Sequence, residues 1–162
     1  MFDLVTGDNP LTITEFDFYF GISIVLPLSI YTRPGTHVGF EDSASGWTLV
    51  ESIDDFQGAS TLDQITTADF VDFTIPANAT TAIYITATTG NAMTTLRGTG
   101  VGNVAAANSD LQLLEGTGVD FLFGATQTPR IFDGTIYYDV VPSPGTASLL
   151  GISALAAMRR RR

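Results

Sequence analysis

The sequence predicts an all-β protein, a sandwich or jelly roll of about eight to ten antiparallel strands, followed by a short C-terminal apolar helix. Three observations lead to this prediction. Thr, Val, Ile, Phe and Tyr are abundant, as is typical of strands, and lysine is absent. Short segments alternate between apolar and polar residues, with turn residues roughly every 8–12 positions. No helical period is visible before residue 147.

The first predicted strands are LTITEFDFYF, which follows the turn residues DNP, and ISIVLPLSIY. Leu11 and Ile13 occupy odd positions, whereas the next three phenylalanines occupy even ones. We therefore expect a β-bulge near Glu15. In the second segment Pro27 indicates an edge position or a bend, because proline has no amide proton for the ladder.

A long polar loop, TRPGTHVGFEDSASG, precedes strands predicted at WTLVESI, ADFVDFTI and TTAIYITAT. The glycine-rich residues 90–108 are expected to be open, and LQLLEG, VDFLFG and PRIFDGTIYYDVV supply the last strands. RGTGVGN contains a G-x-G-x-G pattern but lacks the following helix that a dinucleotide-binding loop requires. We expect its glycines to serve turns with positive φ.

The composition changes abruptly near residue 140, which divides the chain into a β domain, residues 1–139, and a C-terminal segment, residues 140–162. Two prolines flanking Ser143 predict an extended spacer. Residues 145–158 carry no charge and are rich in Leu and Ala; as a helix they would span about 21 Å. The alternative to a membrane helix is a helix packed on the sandwich. Four arginines end the chain: Arg159, Arg160, Arg161 and Arg162.

This three-part layout resembles the PEP-CTERM sorting signal of exported bacterial proteins. The resemblance implies a sorting motif of Pro142, Ser143, Pro144 and Gly145, with the two prolines as recognition positions for an exosortase-type enzyme. Ser143 stands where the family has glutamate. The resemblance also implies that the apolar helix anchors the protein transiently in the membrane. The arginine cluster would be the cytoplasmic stop, which agrees with the positive-inside rule and places the β domain outside.

The body of the chain resembles a β-sandwich module that recurs in secreted bacterial proteins. The resemblance rests on IYTRPGTHVGFEDSASGWTLV, TAIYITATTG and LQLLEGTGVDFLFGATQTPRIFDGTIYYD. It implies a fold and an exported location but no reaction. The first residues lack the basic and small-residue features of a signal peptide. For an exported protein we therefore expect the natural start to lie upstream, with a truncated, unexported product as the alternative.

Charge excludes one class of partner. Residues 1–139 hold all 17 carboxylates of the chain but only Arg33, Arg97 and Arg130, a net charge of about −14. Such a body repels phosphate backbones, so we expect no nucleic-acid binding. It also repels anionic lipid headgroups, so membrane contact is expected only through the C-terminal segment.

Catalytic signals are weak, and we expect no enzyme activity. His37 is the sole histidine, and no G-x-S-x-G nucleophile motif is present, so we interpret His37 as a solvated loop residue. Paired carboxylates, such as Glu41 with Asp42, Asp54 with Asp55, and Asp69 with Asp72, could act on a glycosidic bond. With seventeen carboxylates in the chain, pairs arise by chance, and none is singled out.

Two kinds of binding site stay open from the sequence. Acidic loops on sandwiches often supply oxygen ligands for Ca²⁺, and the candidates here are Asp8, Glu41, Asp42, Asp54 and Asp55. Carbohydrate sites use exposed aromatic rings, and the candidates are Trp47 and Tyr138. Trp47 is expected to serve packing first. Tyr137 and Tyr138 are adjacent, so one faces inward and the other outward.

These observations lead to one main hypothesis and two alternatives. The main hypothesis is an exported cell-surface or extracellular-matrix protein with a non-catalytic sandwich, associated with extracellular polysaccharide. The first alternative is a Ca²⁺-assisted carbohydrate-binding module, and the second is a glycan-active enzyme.

Overall fold

The structure is a computed structural model that describes residues 1–20, 24–58, 64–88 and 93–142. The described residues form twelve β-strands and no helix, and every pair of neighbouring strands is antiparallel. The strands are β1 Phe2–Thr6, β2 Leu11–Tyr19, β3 Val25–Pro34, β4 Thr48–Gln57, β5 Ile65–Ile75, β6 Thr80–Ala87, β7 Thr95–Arg97, β8 Val104–Ala107, β9 Leu111–Leu114, β10 Gly116–Val119, β11 Thr126–Phe132 and β12 Gly134–Val140.

The strands form three sheets around one core. The largest sheet has the order β4-β3-β6-β1-β9-β8, and the two three-stranded sheets have the orders β12-β2-β5 and β10-β11-β7. Buried apolar residues of the first two sheets belong to one cluster. The all-β prediction is confirmed, and the architecture is consistent with a sandwich. The predicted C-terminal helix lies outside the described residues, among which no helix is long and apolar enough to cross a membrane.

Phenylalanine rings hold the sheets together. Phe2 of β1 meets Phe16 of β2 edge-on, with ring centroids 6.4 Å apart. Phe132, from the third sheet, packs 4.7 Å from Phe2 and also contacts Phe18. Burying one such side chain contributes roughly 1.5–3 kcal/mol. The aromatic contacts therefore join all three sheets rather than only neighbouring strands.

The predicted bulge in β2 is confirmed. Against β5 the surplus residues lie on β5, because Ile13 pairs with Phe73 and Glu15 with Asp69. Against β12, Ile13 and Glu15 pair with adjacent residues, which leaves Thr14 as an extra residue of β2 without a partner in the ladder. This extra residue allows Ile13 and Phe16 to face the core although they are three positions apart.

The interpretation of Pro27 is half right. Strand β3 lies between β4 and β6, so an edge position is wrong. The alternative, a bend, agrees with the register shift between Leu26 and Leu28 opposite β4. A proline is accepted there because the ladder is interrupted and needs no amide proton.

Several strand predictions between residues 90 and 124 are wrong. The stretch expected to be open holds β7 and β8, which raises the strand number from the expected eight to ten to twelve. Strands of three and four residues are too short to show a period. VDFLFG does not form a strand: beyond Val119 it turns, with Phe121 exposed and Phe123 at a φ of 55°.

The strand pairing at Gly134 generates a stability prediction. A Cβ there would overlap the carbonyl oxygen of Asp17 and the ring of Phe132, so Gly134→Ala should lower the free energy of unfolding by about 2–3 kcal/mol. Gly118→Ala is the matched control, because its Cβ would have only ordinary contacts from 3.4 Å outward. Urea denaturation measures both, and equal losses would contradict the prediction.

Candidate functional site

The outer face of the six-stranded sheet is covered rather than open to solvent. On β6, Tyr84 points away from the core side chains Ile83 and Ile85, yet it is fully buried. Its ring lies 5.2 Å from Phe123 and 5.9 Å from Trp47, and its hydroxyl donates to the carbonyl of Asp120. The loop that follows β3 and the turn after β10 therefore form a cover over this face.

His37, which is completely buried, anchors the loop after β3 to the sheet. The interpretation of His37 as a solvated loop residue is wrong. Its Nδ1 donates to Oδ1 of Asp3 over 2.7 Å, and its backbone amide donates to the same oxygen over 2.9 Å. The hydroxyl of Thr36 donates to Oδ2 of Asp3, and Oγ1 of Thr117 lies 3.4 Å from Nε2 of His37. Donors from loop residues thus satisfy a carboxylate on β1.

The hydrogen bonds decide the charge of Asp3. Burial raises the pKa of its carboxyl, but the donors from His37 and Thr36 outweigh burial and leave this pKa below its ordinary value. Asp3 is therefore ionised at neutral pH and accepts from both loop residues.

The order of carboxylate, imidazole and hydroxyl is that of a catalytic relay. In this structure His37 has no exposed surface and Thr117 is only 4 % exposed. A substrate cannot reach the imidazole without displacement of the loop that His37 anchors. The role that this geometry supports is anchorage.

An open groove of about 570 Å³ lies between this loop and the third sheet. One wall is residues 38–42, with the carboxylates of Glu41 and Asp42. The other wall carries the threonines Thr126 and Thr128 of β11. The amide of Gly39 donates to Oε2 of Glu41 over 2.7 Å, which fixes that side chain at the wall.

Two of the five candidate calcium ligands, Glu41 and Asp42, therefore meet in the groove. The other three lie elsewhere: Asp8 is exposed in the turn between β1 and β2, while Asp54 and Asp55 are exposed on β4. Within the described ranges no group of three or more His, Asp or Glu side chains is arranged to hold a metal ion.

The two aromatic candidates serve packing. Trp47 is half-buried against Tyr84, and its indole Nε1 donates to the carbonyl of Phe40 over 3.0 Å. Tyr138 is half-buried against the core and accepts from Asn108. Of the two adjacent tyrosines the outward one is Tyr137, which is 44 % exposed, whereas the candidate Tyr138 is the inward one.

The register explains which tyrosine faces out. Ile136 packs on the core, and side chains two positions apart share one face, so Tyr138 follows it inward. The hydroxyl of Tyr137 donates to Asp17 over 2.9 Å, and this bond to a carboxylate raises the pKa of Tyr137.

A second buried carboxylate, Glu115, shapes the glycine-rich loop. It accepts from the amides of Thr99 and Gly100 and from the hydroxyl of Thr99. A Cβ at Gly98 would meet Oε2 of Glu115, and only Gly102 in this loop has a positive φ, +86°. The expectation that all these glycines serve positive φ is therefore wrong, because Gly98 permits close approach instead.

Asp3 and Glu115 were not recognised as organising residues from the sequence. Each lies in or beside an ordinary strand, and its hydrogen-bond donors are 33 and 34 residues away for Asp3 and 15 and 16 residues away for Glu115. No local signal marks Asp3, because it alternates with the core residues Phe2 and Leu4 as a solvent-facing residue would.

The Asp3–His37 contact generates a prediction about coupling. His37→Gln should lower the free energy of unfolding by about 3 kcal/mol, because it removes the imidazole donor from a buried carboxylate and leaves only the donors of Thr36 and of the backbone amide. In a double-mutant cycle with Asp3→Asn, the two losses should be non-additive by at least about 1 kcal/mol. Denaturant titrations of the four proteins measure this. Additive losses would show that the contact carries no coupling.

Glu115 generates a prediction about pH. The hydrogen bond from the Gly100 amide, with those from Thr99, outweighs desolvation and holds the pKa of Glu115 below its ordinary value of 4.5. The unfolded chain therefore takes up this proton first as pH falls through 4.5, and the contribution of Glu115 to stability is lost on further acidification.

In Glu115→Gln the melting temperature should fall less steeply between about pH 5 and pH 3 than in the unmodified protein. Asp54→Asn, which removes an exposed carboxylate from β4, is the control and should keep the original slope. Calorimetry at several pH values gives both slopes, and an unchanged slope in Glu115→Gln would contradict the assignment.

Comparison with protein families, curated proteins and solved structures finds no match to this chain. Of the predicted sorting motif, Pro142 is the last described residue. Ser143, Pro144, Gly145 and the arginine cluster lie outside the described residues.

Proposed function

We propose that this protein is an exported bacterial cell-surface or extracellular-matrix component, a non-catalytic β-sandwich module sorted through its C-terminal segment. The observation that carries the proposal is the order of features after residue 140: a Pro-Ser-Pro spacer, 14 uncharged residues and four arginines. The partner of this segment is an exosortase-type processing enzyme, and its transient anchor is the membrane.

The strand bounds support a division of the chain near residue 140. Strand β12 ends at Val140, and the amide of Val141 still donates to the carbonyl of Pro10. The predicted sorting motif begins at the next residue, Pro142. Strand β12 is therefore complete before the predicted motif begins.

The charge of the body supports a role outside the cytoplasm that does not involve nucleic acid. A net charge of about −14 over residues 1–139 keeps the domain soluble at high local concentration. The same charge disfavours phosphate backbones and anionic membranes.

The non-catalytic part of the proposal is supported by the use of His37. The only imidazole of the chain has no exposed surface and holds the loop to β1. Ca²⁺ binding stays a prediction of the carbohydrate-binding alternative. Of its candidate ligands, Glu41 and Asp42 both line the groove.

Localisation in the native host tests the proposal. We expect the intact mass of the exported protein to lack the residues after Pro144, and we expect a chain ending at Asp139 to be lost to the medium. A strain without its exosortase is the control and should retain the uncleaved protein in the membrane fraction.

An intact Arg162 on a cytosolic protein would overturn the sorting proposal. The alternative, a C-terminal helix packed on the sandwich, makes a separate prediction. In that case the chain ending at Asp139 would have a lower melting temperature than the full chain, whereas a sorting segment leaves the melting temperature of the domain unchanged.

A further inference from the structure

The groove between residues 38–42 and β11 is a concave surface that is not filled by the packing of the domain. Its volume, about 570 Å³, lies within the roughly 300–1,000 Å³ of small-ligand sites and suits an oligosaccharide segment better than a single ion.

Polar groups of two kinds line the groove. Glu41 and Asp42 supply carboxylate oxygens, which accept hydrogen bonds, and Thr126 and Thr128 supply hydroxyls, which both donate and accept. Neighbouring hydroxyls of a pyranose ring need this combination, because each is itself a donor and an acceptor. Hydrogen bonds to ionised groups are also the stronger kind.

Its apolar groups lie beside the polar ones. Val38 is 50 % exposed and Val101 is 37 % exposed, and both line the groove. A pyranose ring presents C–H groups on its faces, and their removal from water against two valines is favourable. A metal ion or a phosphate would gain nothing from these side chains.

The charge of the groove selects among saccharides. The described residues that line it include two carboxylates and no arginine, in a body of about −14. Uronic acids and sulfated or phosphorylated sugars would be repelled. We propose that the groove binds a neutral hexopyranose oligosaccharide, which deepens the proposed surface function and rests on it for its biological setting.

Both walls are held before any ligand arrives. Val38 directly follows His37, whose contacts with Asp3 fix the first wall, and Thr126 of the second wall pairs with Val119 of β10. Val101, which also lines the groove, lies in the turn whose amides bind Glu115. A preformed groove loses less conformational entropy on binding than a flexible loop does. Trp47 reports on this region, because its indole bonds the carbonyl of Phe40, next to Glu41.

The test uses the full chain and neutral hexasaccharides built from glucose, mannose, galactose or N-acetylglucosamine, with hexagalacturonate as the charged comparison. Trp47 fluorescence and titration calorimetry measure binding in EDTA and again in CaCl₂. We expect saturable binding of at least one neutral hexasaccharide in EDTA, and binding of hexagalacturonate that is at least about tenfold weaker or undetectable.

Substitution locates the site. The double variant E41Q/D42N should bind at least about tenfold more weakly, because it removes two charged acceptors. D54N/D55N is the matched control, since it removes the same charge from an adjacent exposed pair on β4 and should bind as the unmodified chain does. Thr126→Val gives a second, uncharged test of the opposite wall. Melting temperatures verify that each variant is folded.

Four results would overturn the inference: no saturable binding of any neutral hexasaccharide, equal losses in the two double variants, hexagalacturonate binding as tightly as the neutral sugars, or binding that requires CaCl₂. The last would favour a Ca²⁺-assisted site. These outcomes are independent of the localisation experiment. A surface protein that binds no glycan contradicts only this inference, whereas a cytosolic protein that binds one contradicts the proposed sorting.

Discussion

A carboxylate buried in the middle of the largest sheet is the constraint on which the outer half of the molecule depends. Asp3 lies on β1, between β6 and β9, where water cannot satisfy it. Its donors must come from another part of the chain, and they come from Thr36 and His37. A loop that supplies buried donors to β1 must lie across the sheet.

The loop position then explains the packing around it. With residues 36–47 across the sheet, Tyr84 and Trp47 are enclosed together with Phe123 from the turn after β10. The loop edge at residues 38–42 becomes a wall that faces β11, and the space between them is the groove. The groove is a consequence of how a buried charge is satisfied.

The carboxylates of this strongly negative domain lie in two environments, either buried with several hydrogen-bond donors or exposed to solvent. The two that are buried in the described part of the chain, Asp3 and Glu115, each accept at least three hydrogen bonds and have lowered pKa values. Many of the others, such as Asp54 and Asp55, lie on the exposed surface, where water screens their repulsion. Phenylalanine packing joins the sheets without involving these charges.

The sequence by itself determined the features that depend on neighbouring residues. The alternation of apolar and polar residues predicted an all-β fold, because the strand period of two is a local property. The change from odd to even apolar positions between Ile13 and Phe16 predicted the bulge in β2. The three-part C-terminal layout likewise required no tertiary information. On these grounds most strands were open to prediction, and the boundary near residue 140 stays a prediction from the sequence.

Only the tertiary structure decided which residues meet across long separations. His37 reads as a polar loop residue, but its partners Asp3 and Thr117 are 34 and 80 positions away, and their pairing buries it. The inward position of Tyr138 depends on the register of β12 against a bulged β2. The groove joins residues 38–42 to β11, and no local pattern marks either wall. The two-residue period of a strand shows which side chains share a face, whereas the pairing of distant segments decides what that face contacts.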